Sequence, residues 1–153
     1  MKSGVIALAL FMLVAAGCAS TPQATVERDQ DAKTFPSHPA TSAIYVYRTG
    51  NYHGNGSDDS TLWVDNRLIG ATLPNTYFVI HVDPGKHVLT GLAADNGRLT
   101  LETRPGELVF VALRVINGQS HFQRVSPEVG QESVLNCCAL LENWAPGQRP
   151  LLR

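Results

Sequence analysis

Six pairs of turn-forming residues interrupt the chain at short, nearly even intervals, and this rhythm restricts the fold more than any other feature. The pairs are Asp65-Asn66, Pro74-Asn75, Pro84-Gly85, Asn96-Gly97, Pro105-Gly106 and Asn117-Gly118. The steps between them are roughly nine to twelve residues, each holding a short apolar run, as in all-β sandwiches and barrels. A helix needs longer stretches free of Gly and Pro. Upstream, Ala43-Ile44-Tyr45-Val46-Tyr47-Arg48 is β-branched and aromatic and reads as a strand. Asn117-Gly118 is the strongest two-residue hairpin signal, because both residues tolerate positive φ. It predicts the pairs Ile116 with Gln119, Arg114 with His121 and Leu113 with Phe122. Val109, Val111, Leu113, Val115 and Phe122 then share a core face, while Arg114, Gln119, His121 and Gln123 share a solvated one. The same reasoning makes Leu62, Val64 and Ile69 neighbours across Asp65-Asn66.

The end of the chain has a different period. Val134, Leu135, Cys138 and Leu141 recur at helical spacing, with Ser133 ahead of them as a candidate N-cap. An amphipathic helix is predicted over about Gln131–Asn143, with Pro146 and Pro150 marking a loose tail. The expected fold is all-β: a small two-layer antiparallel β-sandwich of about seven or eight strands, immunoglobulin-like, with a short C-terminal helix. It occupies residues 43–130, and residues 131–153 form the helix and tail of the same domain.

The N-terminus bears on location. After Lys2, Val5–Ala16 is an uncharged apolar run of about a dozen residues, where a spanning helix needs roughly 20. It fits the apolar region of a signal peptide and ends in Ala15-Ala16-Gly17 followed by Cys18. This resembles the lipobox of bacterial lipoproteins, although Ala15 stands where Leu is commoner. The resemblance implies residues 1–17 as signal peptide, cleavage between Gly17 and Cys18, and diacylglycerol on Cys18. Acyl chains would make anchoring nearly permanent, at about 0.8 kcal/mol per buried CH₂. Ala19, in place of Asp, implies an outer-membrane anchor on the periplasmic face; the inner membrane or cell surface is the alternative. Residues 18–42 are rich in Ser, Thr, Pro, Gln and Asp with no apolar pattern. They read as the lipidated Cys and a flexible tether with an r.m.s. reach of about 25–30 Å.

A second resemblance rests on an ordered set of short motifs. These are Tyr45-x-Tyr47-Arg48, then Val64-Asp65-x-x-x-Ile69-Gly70, then Tyr77, then Pro84-Gly85-x-His87. Together they resemble a family of bacterial lipoproteins built on a small domain of unknown function, and they are similar to PEGA-type domains. The resemblance implies a β-sandwich and an envelope location, and brings no catalytic residue.

Composition and spacing exclude several kinds of chemistry. The formal charge is −1, and the basic residues, nine Arg and three Lys, are scattered singly. Nucleic acid is therefore not expected as a partner, because phosphate binding needs a clustered basic face. His38, His53, His81, His87 and His121 form no close ligand motif. A two-residue turn at Pro84-Gly85 would match Val82 with His87 and His81 with Val88, which puts the two imidazoles on opposite faces. His87 should then bond loop backbone, and no metal or other cofactor is expected. No Gly-x-Ser-x-Gly or Ser-x-x-Lys motif offers a nucleophile, so catalytic residues are none. The adjacent Cys137 and Cys138 fit burial as small hydrophobes better than an intermolecular disulfide or a redox site. A vicinal bridge needs a strained ring. Strand alternation sets Tyr45 and Tyr47 opposite Ile44 and Val46, and Trp63 opposite Leu62 and Val64. Either side could be core or wet. The possible binding surface is Tyr52, Asp58, Asp59 and Trp63. The expected function is a lipid-anchored, non-enzymatic envelope module that binds another envelope component. The alternatives are a glycan or peptidoglycan binder with an exposed Tyr/Trp sheet face, and after it a hydrolase or metal-binding protein.

Overall fold

The computed structural model describes residues 21–50, 60–92, 97–116 and 118–143. The signal peptide with Gly17, the lipidation position Cys18, the loop residues Tyr52, Asp58 and Asp59, and the tail from Trp144 lie outside them. In chain order the elements are α1 (Val26–Ala32), β1 (Ser42–Arg48), β2 (Ser60–Val64), β3 (Arg67–Thr72), β4 (Thr76–Val82), β5 (Gly85–Leu92), β6 (Arg98–Thr103), β7 (Leu108–Ile116), β8 (Gln119–Val125), α2 (Pro127–Cys137) and the short β9 (Ala139–Leu140). A five-stranded sheet in the order β8-β7-β1-β4-β9 faces a four-stranded sheet in the order β3-β2-β5-β6. Neighbours are antiparallel except β1 with β7 and β4 with β9. The chain is a small β-sandwich, as the turn spacing predicts.

The core between the sheets follows from strand alternation. Ile44 and Val46 of β1, Phe78 and Ile80 of β4, and Val109, Val111, Leu113 and Val115 of β7 pack against Leu62, Val64, Ile69, Leu89 and Leu101 of the other sheet. Each buried side chain of this size contributes about 1.5–3 kcal/mol. The β7–β8 hairpin has the predicted register, with Leu113 opposite Phe122, Arg114 opposite His121 and Ile116 opposite Gln119. In the β2–β3 hairpin, Asp65 and Asn66 both take positive φ, +50° and +63°. The left-handed pair matches the twist of the flanking strands. A bulge between Leu62 and Trp63 shifts that ladder by one residue, yet Ile69 still reaches the core.

One expected pairing is corrected. β4 and β5 do not form a hairpin at Pro84-Gly85, because β4 is flanked by β1 and β9 and β5 by β2 and β6. The chain crosses from one sheet to the other at this turn. It crosses again at Pro74-Asn75 and at Pro105-Gly106, whereas the hairpins follow the Asp-Asn and Asn-Gly turns. Proline holds φ near −65° and cannot occupy the left-handed positions of a two-residue hairpin.

A further layer covers the five-stranded sheet. Ala43, Tyr45, Tyr47, Tyr77 and Phe110 point away from the sandwich core and are buried in a second cluster with Val134, Cys138 and Leu140. The Tyr45/Tyr47 row is therefore neither wet nor part of the inter-sheet core. Phe35 closes over it, with its ring centroid 5.5 Å from that of Tyr45 and 5.7 Å from that of Phe110. Gly130 lets α2 come against the sheet, since a Cβ there would overlap the Phe110 side chain.

α2 begins earlier than the apolar spacing predicts and ends earlier too. Ser126 is its N-cap, accepting from the Val129 amide at 3.4 Å, and Pro127 stands in its first turn. This start outranks Ser133, because a capping hydroxyl followed by proline satisfies and pre-orients the first turn. Val134 is fully buried while Leu135 is 53% exposed, so Leu135 is not on the packed stripe. The chain turns extended at Cys138 and runs into β9 beside β4. Cys138 is buried and Cys137 is packed against the same cluster, with the two sulfurs adjacent.

The tether assignment for residues 18–42 is also corrected, from Thr21 onward. Gln23 bridges Leu141, the Ala24 amide donates to the Leu140 carbonyl at 2.9 Å, and the Glu142 amide donates to Pro22 at 2.8 Å. Thr21 is 3% exposed; its hydroxyl donates to the Ala71 carbonyl at 2.9 Å and accepts from the Ala71 amide at 2.8 Å. Residues 21–24 thus cover the outer edges of both β9 and β3, where unpaired backbone would otherwise invite another strand. Gly70 permits the approach, because a Cβ there would sit 3.0 Å from Phe78 and 3.1 Å from the Thr21 hydroxyl.

Candidate functional site

α1 lies across the outer face of the five-stranded sheet, and a single carboxylate clamps it there. Asp29 accepts from the Leu140 amide at 2.8 Å with one oxygen and from the Lys33 ammonium at 2.7 Å with the other. Burial works to raise this carboxyl, but the bonds from Lys33, from Leu140 and from Tyr77 together hold it below its ordinary value. The Tyr45 hydroxyl donates to the Ala32 carbonyl at 3.0 Å, and the Tyr77 hydroxyl donates to the Asp29 carbonyl at 3.3 Å. Burial pushes the Tyr45 phenol up to about 12 and raises that of Tyr77 further. Arg28 pairs with Glu142 just past β9. Both phenols are locked as neutral donors, so neither serves as a base near neutral pH.

Between α1, the segment leading to β1, and strands β4 and β9 lies a cleft of about 410 Å³. Arg28, Asp31, His38, Tyr45, His81 and Asn143 contribute its polar lining, with Val79 and Leu140 as apolar wall. The imidazoles of His38 and His81 meet edge to face with centroids 6.0 Å apart. Partial burial, and then the neighbouring His38, lower the His81 pKa, which keeps that ring neutral at neutral pH. The Asn143 amide donates to the Val79 carbonyl at 3.3 Å. The volume suits a short peptide segment or a small molecule, and the lining offers imidazole, guanidinium and carboxylate at its rim.

Sequence reasoning missed this cleft, since Arg28, Asp31 and His38 fall in the stretch read as tether. A local signal existed. Thr25 caps α1 by accepting from the Arg28 amide at 3.4 Å, with Glu27 and Asp29 in the first turn, where acidic residues favour a helix start.

A second constellation sits at the end of the sandwich. His87 Nδ1 lies 2.6 Å from the Asp65 carboxylate, and Nε2 lies 2.8 Å from the Asp83 carbonyl. Asp65 also accepts from the Val88 amide at 2.8 Å. A carboxylate on one imidazole nitrogen suggests the orienting half of a catalytic triad. Here a backbone carbonyl, which only accepts, occupies the other nitrogen, so Nε2 must carry a proton and cannot take one from a nucleophile. The arrangement locks the β2–β3 turn to the β4–β5 crossing, and His87 bonds loop backbone as expected. His81 and His87 both border a hollow of about 300 Å³, but they belong to different sheets; His87 is buried, whereas His81 is only partly covered. Among the described residues, no group of three His, Cys, Asp or Glu side chains could hold a metal ion.

Of the expected binding surface, Trp63 is described. It is half-buried on the outer face of the four-stranded sheet, opposite Leu68 and Thr90. Its indole Nε1 is buried without a hydrogen-bond partner among the described residues. Tyr52, Asp58 and Asp59 lie outside the described residues. Tyr45 and Tyr47, on the other sheet, lie beneath the helices and contribute no exposed ring to a sugar-stacking face.

The comparisons with known proteins add reach along the chain but no activity. A protein of Haemophilus influenzae, described as an uncharacterized protein, is 27% identical over 139 residues, covering 87% of this chain and 80% of its own length. No family model matches the chain, and no solved structure matches it significantly.

Proposed function

We propose that this chain is a lipid-anchored, non-enzymatic module of the bacterial envelope that binds another envelope component, held on the periplasmic face of the outer membrane through diacylglycerol on Cys18. The observation that carries the reading is the apolar run Val5–Ala16 ending in Ala15-Ala16-Gly17-Cys18, too short to span a bilayer and closed by a lipobox-like Cys. Among the described residues no helix is long and apolar enough to cross a membrane, so an anchor of another kind is consistent with them. The binding role is supported by the cleft of Arg28, His38 and His81, which is concave, mixed in polarity and lined from α1, β4 and β9. The closed Asp65–His87 pair supports binding over hydrolysis.

The test has two parts. Wild-type protein should take up labelled palmitate and fractionate with membranes, and Cys18→Ser should abolish both. Label and membrane association that survive Cys18→Ser would sink the anchor. Crosslinking in intact cells followed by purification should then recover one envelope protein, and His81→Ala with Arg28→Ala should reduce that capture while the far-ultraviolet spectrum stays unchanged. The alternative is a cell-wall glycan contacted through Trp63; retention on purified peptidoglycan that Trp63→Ala abolishes would replace the first reading with that one.

A further inference from the structure

Very little chain separates the proposed anchor from the folded body. Cys18 carries the lipid in the reading above, on which this inference rests, and Thr21 is already part of the fold, clamped by two hydrogen bonds to Ala71 and 3% exposed. The residues that follow are fixed to β9 through Pro22, Gln23 and Ala24. Three peptide units reach at most about 10 Å. The polar headgroup layer of one leaflet is itself about 5–8 Å deep. We infer that the domain does not swing free on a tether but docks directly on the phospholipid surface, with the flank formed by β3, β9 and residues 21–24 turned toward the headgroups.

The flank suits a polar surface. Pro22 and Gln23 are exposed on it, while its backbone edges are satisfied by the N-terminal segment, so it needs no insertion into the hydrocarbon. In the five-stranded sheet β8 is the strand farthest from β9, four spacings or about 19 Å away. His121 is exposed on β8 and marks the side that faces away from the bilayer. The cleft takes Leu140 from β9 of the docked flank, and Leu141 and Asn143 from the residues just past it. A partner that enters it must therefore reach down to the membrane surface or already lie on it.

The experiment uses mature, acylated protein in vesicles of phosphatidylethanolamine and phosphatidylglycerol that contain a headgroup-nitroxide lipid. A fluorescent noncanonical residue is placed at Gln23 or at His121. Quenching is expected to be several-fold stronger at Gln23. A Gly/Ser spacer of about twelve residues between Ala19 and Ser20, with an r.m.s. span of about 20 Å, should bring the two positions to equally weak quenching without moving the melting temperature. Equal quenching in the unspaced protein, with an intact mass that includes diacylglycerol, overturns docking and leaves the anchor standing. A mass without acyl chains removes the anchor and the docking together. Stronger quenching at His121 overturns the orientation.

Discussion

Asp29 and Leu113 show how differently single side chains stabilise this fold. Asp29 joins a seven-residue helix, too short to persist alone, to the backbone of β9. Asp29→Ala leaves the Leu140 amide without its charged acceptor and should cost about 1.5–3 kcal/mol in urea unfolding. The carboxyl is held below its ordinary value of 3.8. Its contribution is therefore fully present above that value and is lost as pH falls through the lower folded one. The stability difference between wild type and Asp29→Asn should accordingly shrink in acid; a difference that stays constant from neutral pH into strong acid would show that the carboxylate charge contributes nothing. Leu113 is 2% exposed in the inter-sheet core, and Leu113→Ala should cost about 2–5 kcal/mol. Its neighbour Arg114 faces solvent, and Arg114→Ala should change stability by about 0.5 kcal/mol or less. Equal effects at the two positions would show that the β7–β8 register is wrong.

At the scale of elements, the informative piece is the N-terminal segment. Residues 21–40 cover two sheet edges and roof over Tyr45, Tyr77 and Phe110. A chain beginning at Thr41 should thus melt about 10 °C or more below one beginning at Thr21, since about 1 kcal/mol shifts the midpoint of a domain this size by several degrees. It should also self-associate through the uncovered edges. Circular dichroism melting and light scattering measure both, and identical midpoints would mean that the segment is only a tether. The turns divide by chemistry at this scale. The Asp-Asn and Asn-Gly turns keep consecutive strands in one sheet, and the three Pro turns send the chain across to the other. That distinction was present in the residues, yet spacing alone treats all six turns alike.

For the whole molecule, the helices make the two faces of the sandwich unequal. One sheet is roofed and carries the cleft, while the outer face of the other keeps Thr61, Trp63 and Thr90 only half-buried. The same roof explains why one strand carries two kinds of outward residue. On β7, Phe110 lies under α2 and is buried, whereas Arg114, two pleat repeats further along the same face, is exposed. An anchor close to the body would orient this asymmetry with respect to a membrane, which a long tether could not.

Local chemistry was enough for the strands and for the β7–β8 register, whereas the bulge at Leu62/Trp63 shifts the β2–β3 ladder beyond its turn-proximal pairs. Alternation at Val109, Val111, Leu113 and Val115, and left-handed turn residues at Asp65-Asn66, act over a few residues and need no distant partner. The lipobox-like run ending at Cys18 is likewise legible as a local pattern. Tertiary structure alone decided that residues 21–40 belong to the body, because the apolar groups they pack, Ala24, Ala32 and Phe35, carry no period and gain a surface to bury against only after β1, β4 and β7 have formed one. It also decided the cleft, which joins Arg28 and His38 to His81 and Asn143 across more than a hundred residues of sequence. No local propensity encodes a contact of that separation; it arises when two sheet edges need covering and this segment is long enough to cover them.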